Sequence, residues 1–200
     1  MEAFESFVAV ALEAEGFVVS PAVKFSVQLP TRKAAYAEVQ THGYEVDLVA
    51  ARADRLVLAT VKSFFGSRGV VAEHVTGETT NDRGRKLYLL LNDREIRSKV
   101  VHSAAEMYGY RPDQVQLRLY VGRFAAPTKG HQESRIREWA AGQRVGYGPI
   151  EVIGVDQVVG KVRAVAAHKQ YRDNPVLVTM KVLDAAGLLV AENDDSEASR

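Results

Sequence analysis

The chain has 200 residues, 46% of them hydrophobic, enough apolar material for a full core. Its 26 basic and 25 acidic residues nearly cancel, which excludes attachment to nucleic acid by bulk charge and requires any polyanion surface to be a local patch. The absence of cysteine excludes disulfides and thiolate metal sites, and no apolar run approaches the ~20 residues of a membrane span, so a soluble protein of the reducing cytoplasm is expected.

Residues 2–15 predict an amphipathic helix, because Phe4, Phe7, Val8, Ala11 and Leu12 recur at spacings of three and four and Gly16 follows as a stop. Glu5 shares a stripe with Ala9 and Leu12, and as an acid near a helix start it stabilises that end. From Phe17 to Val27 the pattern is mixed, and Pro21 and Pro30 restrict the segment to extended or looping backbone. Arg32 and Lys33 fall in a solvated loop. Tyr36 to Thr41 reads as the first strand of a meander, closed by His42 and Gly43.

Tyr44 to Ser63 predicts a β-hairpin reversing at Ala53 and Asp54, with Arg52 paired to Arg55. That register sets Asp47 opposite Thr60 and Glu45 opposite Lys62, all four on one face, while Val46, Leu48 and Ala50 share the other face with Val57, Ala59 and Val61. Charges inside a strand pair buried on both faces cost several kcal/mol each unless they are paired or bound to metal. Glu45 and Lys62 form a cross-strand ion pair in the plainer of the two readings.

An aspartate on one strand (Val46-Asp47-Leu48-Val49), followed on the next by a lysine two residues after a usually acidic position (Leu58-Ala59-Thr60-Val61-Lys62-Ser63), resembles the PD-(D/E)XK nuclease superfamily. The resemblance implies a restriction-endonuclease-like α/β fold with an αβββαβ core, a mixed central sheet flanked by helices, and further helices at the C-terminal side. It also implies a nucleic-acid phosphodiesterase, acting on DNA before RNA and using magnesium, with manganese as a substitute. Asp47 and the Val61 carbonyl would be metal ligands, Lys62 would orient the attacking water, and Glu5 on the first helix would be a further carboxylate. Thr60 departs from the motif, since a hydroxyl is a poor replacement for a carboxylate at a hard dication; Glu45 is the candidate to supply the missing charge. Cutting both strands of a duplex would call for a homodimer. A catalytically inactive nucleic-acid-binding module, or a protein-interaction domain, on the same fold is the alternative.

The connection from Phe64 to Lys86 is broken by Gly66, Gly69, Gly77 and Gly84, and leaves from the strand end that carries Lys62. Connections of this length are often functional, and Arg68, Arg83, Arg85 and Lys86 are its candidate nucleic-acid-binding cations. Asn92 and Asp93 cap a helix over about 94–108, with Ile96, Val100, Ala104 and Met107 inward and Arg94, Arg97 and Lys99 outward or at the ends. Val115, Leu117, Leu119 and Val121 alternate with Gln116, Arg118 and Tyr120, predicting a strand with one face buried and a right-handed parallel crossover.

Ser134 to Ala141 is a short helix whose Trp139 reads as a packing residue, flanked by Arg135, Arg137 and Arg144. The glycines of 142–148 precede a strand rather than follow one, which excludes a dinucleotide loop. Ile150 to Val155 is the last strand. One helix follows from Asp156, and another runs from Asn174 and Pro175 to Gly187. The expected layout is a single domain over 1–190, with its core at about 1–125 and the C-terminal strand and helices at about 130–190, and an acidic disordered tail over 191–200. No metalloprotease helix, nucleophile elbow, Walker loop or zinc framework is present.

Overall fold

The computed structural model describes residues 2–30, 39–126, 131–168 and 173–189; the loop with Arg32 and Lys33, and the acidic tail, lie outside the described residues. The first helix, α1 (Ala3–Ala14), buries Phe4, Val8, Ala9, Val10, Ala11 and Leu12. Gly16 ends it with a φ of 84°, a left-handed turn that suits glycine and sends the chain into the sheet. Strands β1 (Val18–Pro30), β2 (Val39–Arg52) and β3 (Arg55–Lys62) follow.

The segment holding Pro21 and Pro30 takes the extended of its two expected forms, a full strand at the sheet edge, where a missing backbone donor costs no ladder bond. One expectation is corrected. His42 and Gly43 do not close a separate strand, because both lie inside β2 and pair with Val27 and Ser26 of β1.

After β3 the chain folds into α2 (Ala72–Thr76), α3 (Asp82–Lys86) and α4 (Leu89–Asn92), and buries Val70, Ala72, Val75, Tyr88, Leu90 and Leu91. Asp93 caps α5 (Arg94–Tyr108) by accepting from the N–H groups of Glu95 and Ile96. The face that α5 buries is Arg97, Val100, Val101, Ala104 and Ala105, a stripe rotated from the expected one, which leaves Met107 56% exposed and draws Arg97 inside.

Next come a short 3-10 turn (Pro112–Gln114), β4 (Val115–Val121), α6 (Gln132–Ala141), a two-residue ribbon β5 (Arg144–Val145) with β6 (Gly148–Pro149), β7 (Glu151–Gly154), α7 (Val155–Ala166) and α8 (Pro175–Ala185). The chain is therefore α/β, with a five-stranded mixed sheet in the order β1-β2-β3-β4-β7. Strands β1 to β3 are mutually antiparallel, and β3, β4 and β7 are parallel neighbours. One face packs under α5, the short helices and α6, including Trp139; the other packs under α1, α7 and α8, with Leu189 folded back against it.

All seven residues of β4 are buried, so it lacks the wet face its alternation predicts. Arg118 is accommodated by ion pairs of 2.8 Å with both Glu15 and Glu151, and Gln116 donates to Glu151 at 2.6 Å. Lys161 of α7 joins Glu15 in the same network. Burial works against the Arg118 charge, but its neighbours Tyr120, Glu15 and Glu151 raise its pKa and hold it protonated.

Candidate functional site

The hairpin reverses where the sequence predicts. Arg52 pairs with Arg55, and the ladder runs in the expected register as far as Leu48 opposite Ala59. There it stops. Asp47 and Thr60 form no ladder pair; instead the Asp47 carboxylate accepts a hydrogen bond from the backbone N–H of Val61 at 2.7 Å, so a side chain satisfies an amide that a strand partner would otherwise take.

The pairing of β1 with β2 is interrupted at the same level. Pro21 pairs with Leu48 and Val23 with Val46, while Ala22, facing Asp47, pairs with nothing and has a φ of 51°. Across this break the strands exchange faces. Val46 packs with Val49 and Val23 in one core, whereas Leu48 and Val19 belong to the other, so Val46 does not share the face of Leu48 and Ala50 as expected.

The interruption places the Asp47 carboxylate 3.5 Å from the Lys62 ammonium, with side chains 27% and 19% exposed. The two flank a cleft of about 570 Å³ lined by Glu2, Glu5, Asp47, Val61, Lys62, the segment from Ser63 to Ser67, and Leu87. Phe64 has a φ of 44°, so left-handed non-glycine residues occur both beside Asp47 and just beyond Lys62. Such conformations cost ~1–3 kcal/mol each and collect at functional sites. The wall of the cleft is fixed by Gly122, whose N–H donates to the Lys62 carbonyl at 2.8 Å; a Cβ there would stand 2.4 Å from the Ser63 oxygen.

Of the residues singled out in the sequence, Asp47, Val61, Lys62 and Glu5 line this cleft. Glu5 is also a helix cap, accepting from the Glu2 N–H at 2.9 Å. Glu45 does not join them. It is opposite Lys24 of β1 and pairs with it at 3.5 Å, because β2 bends away from β3 beyond Leu48; the expected pair with Lys62 does not form. Thr60 is buried and absent from the cleft lining.

Arg68, Arg83, Arg85 and Lys86 also lie outside the lining, and Arg85 and Lys86 pair with Asp82 on α3. Glu2 and Ser63, polar residues of the cleft, were not among the expected site residues. Glu2, whose carboxylate accepts from the Ser63 hydroxyl at 3.3 Å, carries a legible signal, an acid three positions before Glu5 at a helix start.

The carboxylates of Asp47, Glu5 and Glu2 share the cleft with the Ser63 hydroxyl, a hard-oxygen set of the kind magnesium takes. Among the described residues no three His, Asp or Glu stand close enough to hold one ion together. Magnesium is commonly held by one or two carboxylates, with waters and substrate phosphates completing its shell, and Asp47 and Glu5 are the cleft carboxylates of that type that the sequence singled out.

No protein-family model matches the chain, and no curated protein does. A solved structure titled "Crystal Structure of Protein of Unknown Function AF1548" is similar at 15% identity, covering 92% of this chain and 77% of that one with a TM-score of 0.41, too distant to carry an argument. Among the described residues no helix is long and apolar enough to cross a membrane.

Proposed function

We propose that the chain is a nucleic-acid phosphodiesterase of the restriction-endonuclease-like type, acting on DNA, with its active site in the cleft beside Asp47. The observation that carries this reading is the Asp47–Lys62 pair, 3.5 Å apart at an open cleft where two adjoining segments have left-handed backbone. With the short helices α2 to α4 set aside as an insertion after β3, the order α1, β1, β2, β3, α5, β4 matches the αβββαβ arrangement that the motif implies, and adds support.

Asp47 and Glu5, with the Val61 carbonyl, would hold magnesium or manganese. When bound, the ion lowers the pKa of a coordinated water and offsets charge on the phosphate. The Val61 N–H orients the Asp47 carboxylate, leaving its second oxygen for the cleft. The Lys62 ammonium offsets negative charge that develops on the phosphoryl oxygens. Glu2 and Ser63 fix the start of α1 against the end of β3, and so set the spacing of Glu5 from Lys62.

The experiment is nicking of supercoiled plasmid with magnesium or manganese by the wild-type protein, Asp47→Asn and Lys62→Ala. Loss of nicking in both variants is expected, and equal activity in all three proteins overturns the reading. A second reading is favoured by Thr60, buried where the motif has an acid: a module that binds nucleic acid without cutting it. Salt-dependent DNA binding in EDTA, with no nicking at any metal concentration, would select it.

A further inference from the structure

A second groove, of about 430 Å³, lies between α5 and the β5–β6 ribbon and shares no lining residue with the cleft; Arg94, Arg97, His102, Asp113 and Arg144 supply its charged and titratable groups. Arg94 and Arg144 are exposed and form no ion pair with any described residue. Asp113 is the acid of the groove, and its carboxylate is already paired with Arg111 at 3.0 Å.

Arg97 is the unusual member. It is 6% exposed, and its Nη1 donates to the Leu91 carbonyl at 2.7 Å and to Gln143 Oε1 at 3.3 Å, both neutral acceptors. A buried guanidinium ordinarily has a carboxylate in contact, because an uncompensated buried charge costs several kcal/mol. Burial and the like charge of Arg94 both depress its pKa, and only the cap residue Asp93 opposes them. This guanidinium still has donors without a partner among the described residues, and it lines the groove.

We propose that this groove is a phosphate-binding site that holds the backbone of the nucleic acid, with Arg97 fixed in the floor and Arg94 and Arg144 closing on the phosphate from the rim. Planar guanidinium donors match phosphate oxygens in pairs, which suits arginine to this task better than lysine. The inference rests on the nucleic-acid reading above and adds a binding surface made of residues outside the cleft.

The test uses the full chain and a fluorescein-labelled DNA duplex, with anisotropy followed from about 50 to about 200 mM KCl in EDTA. Arg94→Gln with Arg144→Gln is expected to weaken binding about tenfold or more, and to flatten the log-log salt slope by about 2, one unit per lost phosphate contact. Arg94→Lys with Arg144→Lys keeps the point charges and is expected to retain most of the slope. Lys24→Gln with Arg135→Gln removes two cations outside the groove and is expected to change little.

Inorganic phosphate alone should compete only weakly with the duplex; competition as strong as that of unlabelled DNA would make this a free-phosphate site and overturn the backbone assignment. Binding by the groove variant with wild-type affinity and slope, or an equal loss in the Lys24 and Arg135 variant, overturns the groove while leaving the cleft reading intact. No duplex binding by the wild-type protein removes both. A melting temperature for the groove variant within a degree or two of wild type shows that its loss is not one of folding.

Discussion

The Asp47 carboxylate accepts the backbone N–H of Val61 at 2.7 Å, at the level where β2 stops pairing with β3. One side chain thus has a structural duty and, on the reading above, a chemical one. The two separate by substitution. Asp47→Ala strands a buried amide and is expected to lose about 1–3 kcal/mol in urea denaturation, whereas Asp47→Asn keeps an acceptor and should recover most of that loss. Neither variant should nick DNA. Full activity in Asp47→Asn would assign the residue a structural duty alone.

The Glu15–Arg118–Glu151 network fastens α1, β4 and β7 together beneath the core shared with α7. Arg118→Ala leaves the partly buried Glu15 carboxylate with only Lys161, and a loss of about 3–5 kcal/mol is expected. Arg118→Met fills the space but leaves the carboxylates without their arginine partner, so most of the loss should remain. Combined with Glu15→Gln it should recover part of the loss. Chemical denaturation of the three variants checks this.

The same network sets a pH dependence. Burial alone would raise the Glu15 pKa, but hydrogen bonds from Lys161 and Arg118 outweigh it and lower the pKa from 4.5. A carboxylate with a lowered folded pKa contributes stability above its unfolded pKa, and that contribution is lost as pH falls through the folded value. The stability gap between wild type and Glu15→Gln should therefore be constant near neutral pH and narrow progressively below about pH 4.5. A gap that widens on acidification would contradict the assignment.

Gly122→Ala tests the cleft wall. Its Cβ would stand 2.4 Å from the Ser63 oxygen, so the start of the segment after β3 must shift. A loss of about 1–3 kcal/mol is expected, the usual cost of forcing atoms into a filled space. If that segment positions Lys62, nicking should fall further than stability does. Unchanged nicking at a lowered melting temperature would detach the wall from the chemistry.

The hairpin was legible because local signals specify it: a turn between Arg52 and Arg55, β-branched runs on either side, and a period of two that fixes the register. The same extrapolation failed beyond Leu48, where β1 imposes the bend; Ala22 adopts a left-handed conformation that an alanine does not advertise, and Glu45 turns to Lys24. β1 was obscured by prolines that an edge strand tolerates. Arg97 and Arg118 were expected to face outward because arginine usually does. Tertiary contacts brought both inside, Arg118 among carboxylates and Arg97 against a carbonyl and an amide. The cleft itself, which joins the start of α1 to the end of β3, depends on packing that no short stretch of sequence encodes.

The most direct measurement is the melting temperature as magnesium is added to the wild-type protein and to Asp47→Asn. A site that holds the ion predicts a rise for wild type alone; about 2.7 kcal/mol at a hundredfold excess over Kd corresponds to roughly 5–10 °C in a chain of this size. Equal behaviour of the two proteins, whether both rise or neither does, would contradict a metal held at Asp47.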